Sequence, residues 1–124
     1  MKTNQLMKRE FNGTKITQRT KDSFFNATEL LKYYNEHNTK KKVISEFWSN
    51  KNTKEYMEAL AADLNLNVGK SLYLPKDLYS SARGKDGATY MHPYLFVKFA
   101  MWLSPKFEVQ VMKWIYDNLI DFRN

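Results

Sequence analysis

Apolar positions recur along this chain with two different periods. Between residues 5 and 19 they are sparse and set among polar residues, with Leu6 and Phe11 on one side and Ile16 on the other of a break at Asn12-Gly13. Asn-Gly supplies the two positive-φ residues that a tight two-residue turn requires, so this stretch is expected to be a β-hairpin. A further extended piece reaches to Phe25. The period then changes. Ala27, Leu30, Leu31 and Tyr34 form one helical stripe. Asn26 is placed to cap that helix, Glu29 to close a capping box, and Phe25 and Leu30 to form the hydrophobic staple. The helix is expected to fray over residues 35–38, where polar residues cluster.

The helical period returns three more times. Val43, Ile44, Phe47 and Trp48 share one face of a short helix, Val43 to Ser49, which Asn50-Lys51 breaks. Asn52 or Thr53 is expected to cap the next helix, which runs to about Leu64 and buries Tyr56, Met57, Leu60, Ala61 and Leu64. Residues 65–88 are irregular and punctuated by Gly69, Pro75, Gly84 and Gly87. Ser71 to Leu74 suits a short strand or arm. Ala88 to Met91 suits a strand running into His92-Pro93, so Arg83-Gly84-Lys85-Asp86-Gly87 reads as the tip of a β-wing. Pro93 to Leu103 is apolar nearly all round and is expected to be buried. Ser104-Pro105 then gives an N-cap followed by proline at the first helical position. The last helix uses Phe107, Val111, Trp114, Ile115, Leu119 and Phe122. Together these elements predict one α+β domain over residues 1–124, with four to five helices, small antiparallel hairpins and a wing. Phe47, Trp48, Leu60, Phe96, Phe99, Trp102, Phe107, Val111, Trp114 and Ile115 are its expected buried residues.

Composition sharpens this picture in two ways. A chain of 124 residues without cysteine has no disulfide, thiol chemistry or Cys-based zinc site, and its length suffices for a core without a staple. Its formal charge is +7, unevenly spread: residues 1–54 carry 12 Lys/Arg against 5 Asp/Glu, residues 55–124 carry 8 against 8. A surplus confined to one half suits a polyanion, though it also suits lysines that only face water. Met1 to Arg9 lacks the apolar region of a signal peptide, and Tyr94 to Leu103 is too short for a bilayer and holds Lys98. A soluble, intracellular protein with no membrane partner is expected.

The candidate chemistry is recognition rather than catalysis. Lys40, Lys41 and Lys42 stand directly before a helix, where ammonium groups and free N–H donors suit phosphate oxygens. Lysine there opposes the helix dipole, a local cost that a functional patch would tolerate. Ser45, Ser49, Asn50, Lys51 and Lys54 lie outward on or after the short helix and can bond bases or phosphates. Trp48 is read as core. On the wing, Lys76, Tyr79, Arg83 and Lys85 are the candidate contacts, with Ser80 and Ser81 beside them, and Arg83 suits a minor groove. An ordinary surface loop is the competing reading of that segment. Lys outnumbers Arg 16 to 4, which favours phosphate neutralisation over bidentate guanine readout. His37 and His92 do not form a ligand pair at helical spacing. No phosphate cradle, nucleophile elbow or metal-ligand cluster is present, so neither an enzyme, a cofactor nor a metal is expected.

Three segments, in order, carry a family resemblance. They are Phe25-Asn26-Ala27-Thr28, then Phe47-Trp48 with Asn52-Thr53-Lys54-Glu55-Tyr56, then residues 90–115 from Tyr90-Met91-His92-Pro93 through Trp102-Leu103-Ser104 to Trp114-Ile115. This arrangement, spanning about residues 8–120, resembles the KilA-N domain of phages and large DNA viruses, related to the APSES domains of fungal transcription factors. The resemblance implies DNA binding on a compact α+β fold, with the short Trp helix as counterpart of a helix-turn-helix recognition element and His92 as a structural cap or turn residue. It implies a bacterial or viral host cell cytoplasm as the setting. Two positions depart from the family pattern: Ser23 stands where glycine is usual, and Tyr90 where tryptophan is frequent. Both are expected to be tolerable in packing.

The resulting expectation is a duplex-DNA-binding module of phage or viral type that regulates transcription or viral development. Two other readings stay open: a protein-interaction module, such as a phage antirepressor that binds a repressor, and an RNA-binding domain.

Overall fold

The first hairpin forms where the Asn-Gly pair places it. The computed structural model describes residues 6–11, 13–68, 73–82 and 87–123. Strands β1 (Leu6–Phe11) and β2 (Thr14–Arg19) pair antiparallel, with Phe11 opposite Thr14, which leaves two residues for the connection. Gly13 has φ +87°, the left-handed value such a turn needs. Asn12 itself lies outside the described residues.

The expected separate hairpins are joined into one sheet. Strand β3 (Phe25–Asn26) pairs with β2 through Phe25 opposite Gln18, and with β5 (Thr89–Met91) through Phe25 opposite Met91 and Asn26 opposite Tyr90. Strand β4 (Tyr79–Ser81), entered through a 3-10 turn at Pro75–Leu78, closes the far edge against β5. The order is β1-β2-β3-β5-β4, antiparallel throughout. Two residues of the Phe-Asn-Ala-Thr segment thus tie together hairpins from opposite ends of the chain. Ser71 and Leu72, expected as an arm, lie outside the described residues.

Five α-helices follow: α1 (Ala27–Glu36), α2 (Ile44–Ser49), α3 (Lys51–Val68), α4 (Pro93–Leu103) and α5 (Pro105–Arg123). Their inner faces form one aromatic core. Phe25 stacks on Phe96 at 4.9 Å and meets Trp114 at 5.2 Å. Phe47 meets Phe99 edge-on at 5.0 Å and Trp102 at 5.5 Å. Phe47, Leu60, Phe96, Phe99, Phe107 and Val111 are buried as expected, while Trp48, Trp102 and Trp114 are half-buried against the core. The side chains of residue 115 and of 118–123, including Leu119 and Phe122, lie outside the described part of the molecule.

Several local expectations are corrected. Asn26 caps α1 by accepting the Glu29 N–H at 3.0 Å. Glu29 does not complete the box. Its carboxylate turns to β2 and accepts the Thr17 N–H at 2.6 Å and the Thr17 hydroxyl at 3.1 Å, with Lys8 at 3.8 Å. A sheet strand offers it two donors where the cap offered one. Asn50, not Asn52 or Thr53, starts α3: its Oδ1 accepts the Asn52 N–H at 2.8 Å and its carbonyl the Lys54 N–H at 3.2 Å. Helix α3 runs on to Val68, a turn past Leu64. Val43 is the extended residue before α2 and is exposed, so it leaves the apolar face to Ile44, Phe47 and Trp48. On α4, Tyr94 and Met101 are exposed, because α1, α5 and β5 cover only the rest of that helix. Leu6, at the outer strand, is likewise exposed.

Ser23, which stands where the resemblance leads one to expect glycine, adopts a backbone conformation that favours glycine. It has φ +66°, the only non-glycine residue described with positive φ. The turn around it is held by Ser23 N–H to Arg19 O and Arg19 N–H to Phe24 O, both 2.9 Å. A side chain in this conformation costs about 1–2 kcal/mol. Ser23→Gly is expected to stabilise the fold by about 0.5–1 kcal/mol, after the larger freedom of glycine in the unfolded chain is offset. Thermal unfolding checks this, and an unchanged or lower midpoint refutes it.

Candidate nucleic-acid interface

The lysines before α2 are not equivalent. Lys40 and Lys41 are exposed, and the Lys41 ammonium reaches only the Asn35 carbonyl at 2.6 Å. Lys42 is half-buried. Its ammonium donates to the carbonyls of Trp102 at 2.8 Å and Leu103 at 3.0 Å, and lies 4.8 Å from the Trp102 ring. These are orphan carbonyls at the C-terminus of α4, where a cation is favoured by both hydrogen bonding and the helix dipole. Lys42 therefore anchors the loop to the core, and Lys40 and Lys41 are the two members of the run that face solvent.

Beyond the loop, α2 presents Ser45, Glu46 and Ser49 outward, and Asn50, Lys51, Asn52 and Lys54 continue the exposed surface onto α3. The start of α3 is fixed from beneath. Thr53 is buried, Lys98 donates to the Asn52 side chain, and the Tyr56 hydroxyl donates to the Tyr94 carbonyl at 3.0 Å. Burial, with the neighbouring Tyr94, pushes the Tyr56 hydroxyl above its ordinary pKa.

The wing stem stands next to α2. Trp48 of α2 packs on Tyr79 of β4, ring centroids 4.5 Å apart. This contact accounts for Tyr79, which is half-buried and lies at the root of the wing rather than on its outer surface. The stem is closed by Ala82 N–H to Ala88 O at 3.2 Å and by the Ser81 and Thr89 hydroxyls at 3.1 Å. Thr28 accepts the Thr89 N–H at 2.9 Å and fixes the stem to α1. Lys76, on the 3-10 turn, is exposed. Arg83 and Lys85 lie outside the described residues.

The lysines of this surface make no ion pair with a described residue, although Glu46 lies exposed among them. Among the described residues the ion pairs are Lys8 with Glu29 and Arg19 with Asp22. Lys40, Lys41, Lys51, Lys54 and Lys76 have no acidic partner there. Surface cations without internal partners are free to neutralise phosphate. No group of three or more metal-binding side chains occurs among the described residues, and no helix there is long and apolar enough to cross a membrane.

One cationic residue stands outside every sequence pattern described above. Arg19 makes a two-point contact with Asp22, Nη2 to Oδ2 at 2.6 Å and Nε to Oδ1 at 3.2 Å, and donates through Nη1 to Ser80 at 3.1 Å. Its guanidinium lies 4.6 Å from the Tyr90 ring and 5.2 Å from Phe24. It ties β2 to β4 and β5. Its signal in the sequence is slight: an arginine in a lysine-dominated chain, three residues before an aspartate across a turn.

His92 caps α4, its Nδ1 accepting the Tyr94 N–H at 3.1 Å. His37 sits elsewhere, its Nδ1 against the Tyr33 carbonyl at 2.8 Å. Burial lowers the His92 pKa from its ordinary 6.5, and the charge of Asp22 opposes this. A depressed folded value means that the unfolded chain takes up the proton first. The contribution of His92 is therefore complete above about pH 6.5 and is lost as the pH falls through the depressed folded value. Wild-type stability is expected to fall below about pH 6.5, and His92→Asn, which keeps a capping oxygen, to lose part of that dependence. Parallel pH profiles of wild type and His92→Asn would contradict this.

A family model described as the KilA-N domain matches residues 9–121. The chain belongs to the KilA-N domain family. A KilA-N domain-containing protein of Acanthamoeba polyphaga mimivirus is 30% identical over 124 aligned residues, covering 94% of this chain and 34% of that protein. The chain spans about a third of the length of this relative. No solved structure is a significant match. KilA-N domains are in general DNA-binding and of viral or phage type. In this KilA-N domain the motif residues build the scaffold. Phe25 is core, Asn26 is the cap, Ala27 is fully buried, and Thr28 holds the wing stem. Of the exposed candidates, Lys40, Lys41, Ser45, Ser49, Asn50 and Lys51 fall between the motif residues, and Lys54 lies within the second motif.

Proposed function

We propose that this KilA-N domain binds duplex DNA, presenting the exposed side of α2 and the start of α3 to the duplex with the β4–β5 wing alongside, and that it acts inside the host cell in viral or phage gene regulation. The observation that carries this reading is the Trp48–Tyr79 contact, which holds α2 and the wing strand as neighbours. On α2 and the start of α3, Ser45, Glu46, Ser49, Asn50, Lys51 and Lys54 are exposed, as is Lys76 just before the wing strand. Lys40 and Lys41 extend the cationic surface along the preceding loop. Hydroxyls and amides amid unpaired lysines suit a phosphate-led mode with few base contacts.

The test is labelled-duplex binding across salt, in competition with single strand and hairpin RNA. With about five phosphate contacts, affinity is expected to fall on the order of 10²–10³-fold between 50 and 200 mM salt. Equal preference for RNA, or salt-independent binding, overturns the reading. Stoichiometric capture of one host protein by a chain without duplex affinity favours a repressor-binding role instead. On a selected site, Arg83→Ala is expected to cost about 1–3 kcal/mol and relax preference at one or two base pairs, and Lys85→Ala to weaken all sequences alike.

A further inference from the structure

Helix α5 has two apolar sides. Phe107, Val111 and Trp114 turn into the core. On the opposite side Val109, Met112 and Tyr116 are 58%, 53% and 64% exposed. Their spacing of three and four residues makes one continuous strip. Exposed Pro105 lengthens it, and exposed Lys106, Lys113 and Asp117 border it. These three charged groups have no ion-pair partner among the described residues. A strip of large apolar side chains on a helix is a contact surface that water alone covers poorly.

We propose that this strip docks a second copy of the same chain, the two α5 helices packing antiparallel about a two-fold axis near residue 111. The charges select the partner and the direction. A parallel two-fold pair would place this charged flank of the two copies on opposite sides of the seam, so Lys106 and Asp117 could not meet. The antiparallel pair sets Lys106 of each copy beside Asp117 of the other, twice by symmetry, on the same flank of the strip. The apolar residues agree with that register. Val109 meets Met112 and the stem of Lys113, and Pro105 meets Tyr116. The lysine stem covers apolar surface while its ammonium stays wet. The strip is small, so the dimer is a weak one, with a dissociation constant on the order of tens of micromolar. This proposal does not rest on the nucleic-acid reading. Where both hold, a two-fold dimer engages two half-sites.

Sedimentation equilibrium of the chain without DNA, from micromolar upward, tests it. A monomer–dimer equilibrium is expected. Met112→Glu should weaken it about tenfold or more, with the far-UV spectrum unchanged because the residue is exposed. Lys106→Glu and Asp117→Lys should each weaken it about fivefold, and the double variant should recover to within about twofold of wild type. A monomer up to about 0.5 mM overturns the proposal. So does a dimer indifferent to Met112→Glu, or one whose charge swap fails to rescue. If the monomer instead captures another protein in a Met112-dependent manner, the strip belongs to a different partner and the self-association is refuted.

Discussion

Replacing Lys40, Lys41, Lys51 and Lys54 together with glutamine is expected to lower duplex affinity on the order of 10²–10³-fold at low salt and to flatten the salt slope by about three to four. Each of these side chains is exposed and none has an acidic partner among the described residues. Their loss removes phosphate neutralisation without disturbing the core, so the free energy of unfolding should stay within about 0.5 kcal/mol of wild type. Lys42 behaves differently. Its ammonium holds the Trp102 and Leu103 carbonyls, so Lys42→Gln is expected to cost stability, about 1–2 kcal/mol, whatever it does to binding. Binding isotherms at several salt concentrations, beside denaturant unfolding of the same proteins, separate the two effects. A quadruple variant with wild-type slope would remove this surface from the interface.

Arg19→Ala is expected to cost about 2–4 kcal/mol of folding stability. The side chain is 13% exposed, and its loss removes at once the ion-pair partner of Asp22, a donor to Ser80 and the cation against the face of Tyr90. Arg19→Lys should recover only part of this, because an ammonium cannot make the two-point contact while lying flat against the ring. Lys21→Ala, two residues away and exposed, is the matched control and should change little. Urea unfolding decides it: a loss below about 0.5 kcal/mol for Arg19→Ala would show that the guanidinium is ornamental to the sheet.

Features that act within a few residues are legible in the sequence alone. The Asn12-Gly13 signal places β1 and β2, because turn chemistry is set by two residues. The Asn26 cap and the Ser104-Pro105 start are legible for the same reason, since capping acts within one turn. The apolar stripes of α1, α3 and the first turns of α5 follow from periodicity, and the uneven charge of the two halves from a count, whereas the exposed side of α4 does not show in an all-apolar helix. What requires tertiary structure is every feature joining residues distant in the chain. Whether Glu29 serves its own helix or β2 is decided by Thr17, which arrives from another strand. Whether Lys42 meets phosphate or protein is decided by carbonyls some sixty residues away. Arg19 finds its place only once β4 and β5 stand beside β2, and the neighbouring of α2 and the wing exists only through Trp48 on Tyr79. Sequence determines which groups can bond, cap or repel over a few residues. Only packing decides which of several chemically equal partners is in reach, and on that choice depends whether a lysine is an anchor or a candidate contact.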